Sequence, residues 1–162
     1  MKGAGNIFAM ILFVALFAGA VHADETLKFR TVMHSLNAQT IDVGDVDGHI
    51  LGVARFSGIV SLPDGSTATS YFTGEFEYTK GAGPVSTYMN VTYDDGSALW
   101  LKTVGTAAVD GTKTVFKGTL NVLGGKGRYA GATGDGSFSG ARTVPLAAGA
   151  DLYLDLTVNV KK

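Results

Sequence analysis

The chain has 162 residues, with 13 Lys and Arg against 14 Asp and Glu, and this near-neutral balance argues against nucleic acids or anionic membrane surfaces as partners. It contains no cysteine, which excludes disulfides, thiol nucleophiles and cysteine-ligated metals. The length suits one domain with a single core.

The first predicted element is a secretory signal at residues 1–23. Lys2 supplies the positive charge, residues 7–20 form an apolar run too short to span a membrane comfortably, and Ala23 ends a small-residue cleavage site. An uncleaved N-terminal anchor is the alternative. Cleavage after Ala23 would leave one domain at residues 24–162, with 12 basic and 14 acidic residues because only Lys2 is lost. The signal predicts a secreted or periplasmic protein that has no contact with the membrane once it is cleaved.

The rest of the chain has the pattern of an all-β protein, because short runs rich in Val, Thr, Tyr, Phe and Leu are separated by turn residues. Asp-Gly dipeptides, which favour antiparallel hairpins, stand at Asp47-Gly48, Asp64-Gly65, Asp95-Gly96, Asp110-Gly111 and Asp135-Gly136. We predict strands at Leu27–Ser35, His49–Leu62, Ser66–Thr79, Val85–Tyr93, Ala98–Val109, Lys113–Leu123, Ser137–Val144 and Asp151–Val160, and one longer loop at 36–48.

Alternation shows that these strands have one buried face. In the last strand the even positions 152–160 are all Leu or Val, whereas Tyr153, Asp155, Thr157 and Asn159 lie between them. Eight antiparallel strands of this kind can close into a barrel, which removes exposed edges. The predicted fold is a single eight-stranded antiparallel β-barrel, with a sandwich as the alternative.

A glycine-rich segment, 124–140, precedes the seventh predicted strand and overlaps its start. We predict that it forms an elaborate corner between two strands, with Tyr129 and Phe138 packed on the core and at most one helical turn at 126–130. The glycines of this corner are Gly124, Gly125, Gly127, Gly131, Gly134, Gly136 and Gly140.

The segment 120–140 resembles the glycine corner of the allene oxide cyclase barrel and of the related dirigent proteins. Those families share a Gly-Gly-x-Gly-x-aromatic-x-Gly pattern late in an eight-stranded barrel, and here Gly124 begins that pattern. The resemblance implies an apolar lumen and a homotrimer, and it is closest to small exported bacterial members of the superfamily. It places no catalytic residue of the plant enzymes on this chain, and fold alone does not fix activity.

Several other motifs fail on their context. Gly125, Gly127 and Ala130 superficially fit a dinucleotide fingerprint, but no long helix follows them. Ser137 and Ser139 flank a phenylalanine, so the segment does not form the nucleophile elbow of a serine hydrolase. We therefore expect no cofactor.

Metal binding finds little support either. Asp42, Asp45 and Asp47 gather three carboxylates in one loop, but their spacing departs from that of the twelve-residue calcium loop, so a solvated acidic loop is the simpler interpretation. Only His34 and His49 remain after signal cleavage, which excludes a three-histidine zinc site within one chain. Either histidine could act as an acid or base, but a structural or surface role is favoured for His34.

A set of polar and aromatic residues at alternating strand positions makes up the candidate ligand site. If this face points inward, it gives a cavity with apolar walls and a few fixed polar groups; if it points outward, as polar side chains usually do, it is the solvated surface. Trp100 could line the lumen or a subunit contact. The candidate ligand-binding residues are Arg55, Tyr71, Glu75, Tyr88, Arg142, Tyr153 and Asp155.

Three functions remain open. The leading hypothesis is an exported barrel that binds a small apolar or aromatic molecule in its lumen and steers its cyclisation by positioning. The second is a cofactor-free cyclase or isomerase of the allene oxide cyclase type, and the third is a non-catalytic interaction module with a filled barrel. A cavity of about 300 Å³ or more would favour the first two, and a filled interior the third.

Overall fold

The computed structural model describes residues 24–162, so the predicted signal at 1–23 lies outside the described residues. These residues form a closed antiparallel barrel in which each strand pairs with its sequence neighbours and the last strand pairs with the first. The predicted fold class is confirmed. The strands are β1 (Glu25–Asp42), β2 (His49–Ser61), β3 (Thr67–Thr79), β4 (Gly83–Tyr93), β5 (Ala98–Asp110), β6 (Lys113–Lys126), β7 (Thr133–Arg142) and β8 (Asp151–Lys161), with a short 3₁₀ turn (Gly127–Tyr129) before β7.

The barrel interior is the hydrophobic core. The alternation of β8 is confirmed, because residues 152–160 at even positions are buried in the interior while the residues between them face solvent or are only half-buried. β3 alternates equally regularly along its whole length. No helix among residues 24–162 has the length and apolar character needed to cross a membrane.

The two ends of the barrel differ in how well they are closed. At one end, which we call the corner end, the turn after β6 and the β4–β5 turn cover the interior, and Val91, Leu99, Val158 and Val160 are completely buried beneath them. At the other end, which we call the mouth, the core side chains Phe76, Val85 and Phe116 retain slight exposure. The mouth carries the β1–β2, β3–β4, β5–β6 and β7–β8 connections.

The predicted loop at 36–48 is wrong over its first half. β1 continues to Asp42 through a bulge at Leu36, and it pairs with β2 from Asn37 opposite Arg55 to Asp42 opposite Ile50. Because the bulge shifts the alternation of inward and outward residues by one position, the sequence pattern does not reveal that the strand continues. The longest connection between strands is instead the β7–β8 loop at 143–150.

The glycine segment is also less of a turn than predicted. Only 127–132 form the corner, whereas Gly124, Gly125, Gly134, Gly136 and Gly140 lie within β6 or β7, and so does the Asp135-Gly136 pair. A side chain at Gly136 would collide with the backbone oxygen of Thr157, so glycine serves close strand packing there. Glycine is required at position 127 for another reason, because the φ of Gly127 is 62° and a Cβ atom there would collide with Ser97. The predicted burial of Tyr129 and Phe138 is confirmed.

Candidate functional site

A cavity of about 60 Å³ lies inside the barrel at the mouth. Its walls are mainly aromatic and aliphatic, and every strand except β1 contributes to them. The β7–β8 loop adds Leu146, which packs half-buried against the core. The side chains that define the cavity are Phe56, Phe72, Phe76, Tyr78, Val85, Thr87, Thr103, Phe116, Phe138, Arg142, Leu146, Leu152 and Leu154.

Arg142 is the charged group of this cavity. Its residue surface is only 7% exposed, and its guanidinium lies 5.8 Å from the centre of the Phe116 ring. Nε donates to the Val144 carbonyl oxygen at 2.9 Å, and one terminal nitrogen donates to the Thr114 hydroxyl at 3.3 Å. Among residues 24–162, no carboxylate lies within ion-pair distance of it, although a buried cation without an anion is costly. Desolvation lowers the pKa of Arg142, as expected when burial disfavours a charge.

Glu75 borders the cavity from the outer face of β3, where its residue is exposed, and the polar groups that face the interior besides Arg142 are neutral. Burial raises the pKa of Tyr78 to about 12, so its phenol stays protonated near neutral pH. The hydroxyls of Thr87 and Thr103 hydrogen-bond each other at 2.7 Å across β4 and β5. The cavity therefore offers one cation and neutral hydroxyl groups in an apolar setting, a combination suited to holding an anionic or strongly accepting group.

Six of the seven candidate ligand residues lie on the outer face of the barrel, and only Arg142 lies inside it. Tyr88, for example, is 57% exposed. Asp155 is not a partner of Arg142, because it binds the outer residue Arg30 through two contacts of 2.7 Å. This pairing lowers the pKa of Asp155 and raises that of Arg30. The six outer residues are Arg55, Tyr71, Glu75, Tyr88, Tyr153 and Asp155.

Sequence reasoning missed both the side on which Arg142 lies and the aromatic walls. Arg142 stands four residues after Phe138, an even spacing that predicts the same side of a strand. The signal was obscured because Ala141 is buried as well, so the alternation of β7 fails at its last residues. Trp100, whose position the sequence left open, lies on the outer face.

The acidic loop at the mouth has its own internal partners. His49 bridges two carboxylates, with Nδ1 2.6 Å from Asp45 Oδ1 and Nε2 3.1 Å from Glu77 Oε1. Both hydrogen bonds raise the pKa of His49, and the one to Asp45 has the larger effect. The same contact lowers the pKa of Asp45. Asp47 lies 3.6 Å from Lys80, and Asp42 accepts a hydrogen bond from the Gly44 amide. Within the described part of the chain, no group of three or more His, Asp or Glu side chains is arranged to hold a metal ion.

His34 lies on the outer surface of β1. Its Nδ1 is 2.7 Å from Asp151 Oδ1, at the start of β8. The side chain is well exposed and does not reach the cavity lining, which agrees with the surface role favoured from the sequence.

The corner end also holds an arginine against aromatic rings. Arg128 lies over Tyr93 at 4.2 Å and over Tyr129 at 5.1 Å, and it also binds Asp95 at 2.9 Å. Burial strongly raises the pKa of Tyr93, so this phenol stays neutral as well. Together these contacts close the barrel at the corner end.

No protein-family model matches the chain, and no curated protein matches it in sequence. Solved structures with a similar fold include the following two. A conserved protein of unknown function from Rhodopseudomonas palustris aligns with a TM-score of 0.56 at 12% identity, covering 86% of this chain and 99% of that one. A pterocarpan synthase dirigent protein aligns with a TM-score of 0.51 at 13% identity, covering 87% and 88%. At these identities the likeness shows a dirigent-like barrel fold and nothing of the chemistry.

Proposed function

We propose that the mouth of the barrel binds a small, largely apolar molecule through a carboxylate or another anionic oxygen held by Arg142. The observation that carries this proposal is the buried guanidinium without a carboxylate partner among the described residues. A buried charge with too few partners destabilises the folded state, and an anionic ligand would offset that cost. The dirigent-like fold supports an interior binding site.

The size of the cavity limits the part of the ligand that enters it. Its 60 Å³ is well below the range of about 300–1,000 Å³ that is usual for ligand pockets, and at roughly 10–15 Å³ per water it has room for about four to six waters. We infer that a head group enters, while the apolar body rests at the mouth. Leu146 is the one wall residue from a loop, so its displacement is the simplest way to enlarge the site.

The site suits binding or steering better than proton transfer. A general acid or base works best with a pKa near the operating pH, whereas the pKa of Tyr78 is shifted away from neutrality. The aromatic walls at the mouth can still hold the apolar body of a reactive intermediate in one conformation, which is the chemistry expected of a steering protein. A cyclase or isomerase of the allene oxide cyclase type remains the alternative, and it would have to act mainly through positioning.

The second candidate function is a non-catalytic interaction module. The small cavity favours it, because most of the interior is filled by the core side chains. In that case Arg142 would be a structural residue whose removal destabilises the barrel.

We also propose that the protein acts after export, with cleavage following Ala23. The composition of residues 1–23 supports this location. The mass of the protein isolated from the periplasm or medium tests it, because the mature chain would begin at Asp24. The same sample, analysed by size exclusion with light scattering, tests the homotrimer that the family resemblance implies.

Matched acids and alcohols test the binding proposal. We would titrate the purified protein with phenylacetate and 2-phenylethanol, and with hexanoate and hexanol, by calorimetry and thermal shift. The acids should bind and raise the melting temperature, and Arg142→Met should weaken their binding roughly ten- to a hundredfold, the value of a charge-assisted hydrogen bond. Arg142→Lys should retain part of the affinity because it keeps the charge. Equal binding of acid and alcohol, or full acid binding by Arg142→Met, would contradict the proposal.

A further inference from the structure

A larger concavity lies on the outer surface of the barrel beside the mouth. Its volume is about 490 Å³, within the range of small-molecule sites, whereas the interior cavity falls below that range. It crosses five neighbouring strands from β1 to β5. Five outward residues opposite one another define its first row, and three more define a second row nearer the mouth. The rows are Gln39, Val53, Glu75, Ser86 and Val104, then Ile41, Leu51 and Glu77.

The walls of this outer groove are aliphatic. Ile41 is 70% exposed, and Leu51, Val53 and Val104 are about half exposed. Single exposed aliphatic residues are ordinary, but four that line one concavity are a typical binding feature. The walls therefore suit the hydrocarbon part of a ligand.

The polar groups of the outer groove are acidic. Glu75 and Glu77 lie on the same face of β3, roughly 6–7 Å apart along the strand. Within the described residues, Glu75 has neither a hydrogen bond nor an ion pair through its side chain, and Glu77 contacts His49 alone. No lysine or arginine is among the residues that line the groove. Its charge and its walls are together complementary to an organic cation with an aliphatic body.

We propose that the outer groove binds an aliphatic amine, with the ammonium group at Glu75 and Glu77 and the hydrocarbon chain on Ile41, Leu51, Val53 and Val104. Glu75 provides the main contact because Glu77 is shared with His49. A second copy of the chain is a poorer occupant, because a two-fold contact through this face would bring four carboxylates together. The groove shares Glu75, Phe76 and Val85 with the lining of the interior cavity, but amine binding in the groove does not depend on the acid proposed to bind at Arg142.

Hexylamine, hexanol and hexanoate serve as probes, observed by NMR at the methyl groups of Val53 and Val104. We expect hexylamine to bind the wild-type protein, hexanol to bind more weakly and hexanoate not to bind. Glu75→Gln should weaken hexylamine binding about two- to fivefold, as for the loss of an exposed ion pair, and the double change Glu75→Gln with Glu77→Gln should weaken it further. Added salt should weaken it too.

Two control variants separate this site from general effects of charge and from the interior. Asp94→Asn removes an equal charge in the β4–β5 turn at the corner end, and Arg142→Met removes the interior cation; neither should alter hexylamine binding. The proposal would be overturned if Asp94→Asn and Glu75→Gln lost equal amounts of hexylamine affinity. It would also be overturned if hexanoate bound and shifted the same methyl signals of Val53 and Val104 as hexylamine. Sedimentation provides a further test of the occupant. If the wild-type protein self-associates, if Val53→Asn abolishes that association and if hexylamine leaves it unchanged, the groove binds a second copy of the chain and the proposal is overturned.

Discussion

The two ends of the barrel each hold an arginine against aromatic rings, and the two arginines differ in their partners. At the corner end, Arg128 lies over Tyr93 and Tyr129 and is paired with Asp95 at 2.9 Å. At the mouth, Arg142 is more deeply buried, lies beside Phe116 and has no carboxylate partner among the described residues. The first arginine completes a closed end, whereas the second is the one for which we propose an anionic ligand as partner. Under that proposal, the same residue type has a structural role at one end and a binding role at the other.

The largest expected difference between the ends is in packing. Tyr129 is the largest completely enclosed side chain, so Tyr129→Ala should lower the free energy of unfolding by about 3–5 kcal/mol. Phe116→Ala is the matched change at the mouth, and it should cost less because Phe116 already borders a cavity. Denaturant unfolding measures both. A larger loss for Phe116→Ala would show that the mouth is as well packed as the corner end.

Replacing each arginine by methionine should shift stability in opposite directions. Arg142→Met removes an uncompensated buried charge and should raise the free energy of unfolding by about 1–2 kcal/mol. Arg128→Met removes an exposed ion pair and two cation–π contacts and should lower it by about 1 kcal/mol. Chemical denaturation of the two variants beside the wild type tests this. A loss of stability in both would make Arg142 a structural residue and favour the filled-barrel module.

A smaller effect concerns pH at the mouth. The pKa of His49 is raised in the folded state, so its protonated form stabilises the β1–β2 loop. This stabilisation is complete at pH values below the ordinary pKa of about 6.5, and it is lost as the pH rises through the raised pKa. The melting temperature should therefore fall slightly across that window. Among residues 24–162, no histidine lies at the corner end, so the effect belongs to the mouth.

Three variants test the assignment to His49. His49→Gln should remove this part of the pH dependence, and Asp45→Asn should move it to lower pH because the hydrogen bond to Asp45 is the main cause of the shift. Asp94→Asn should leave it in place. If the melting temperature of His49→Gln falls as steeply as that of the wild type, another group is responsible.

The fold was predictable because burial inside a barrel leaves a period of two in the sequence. The even positions of β8 and the regular alternation of β3 carry that signal plainly. The second half of β1 was not predictable, because the bulge at Leu36 changes the phase and no large apolar residue is buried beyond it: Ala38 is half-buried and Thr40 is exposed.

The candidate site was less predictable than the fold. The sequence indicates which residues share a face, but polar residues at similar spacings on different strands do not reveal which face is inside. Arg142 was grouped with six outer residues for that reason, although its even spacing from Phe138 places it with the core. The outer groove depends on residues from five strands, and only the pairing of β1 to β5 brings them into register.

Native mass spectrometry tests most directly whether Arg142 binds an anionic ligand, as we propose. The wild-type protein and Arg142→Met would be purified from the same host and compared under native and then denaturing conditions. We predict that the wild type releases a defined small organic acid on unfolding, or takes up added phenylacetate, and that Arg142→Met does neither. The same bound species in both proteins, or a wild type that neither carries nor takes up an acid, would contradict the claim.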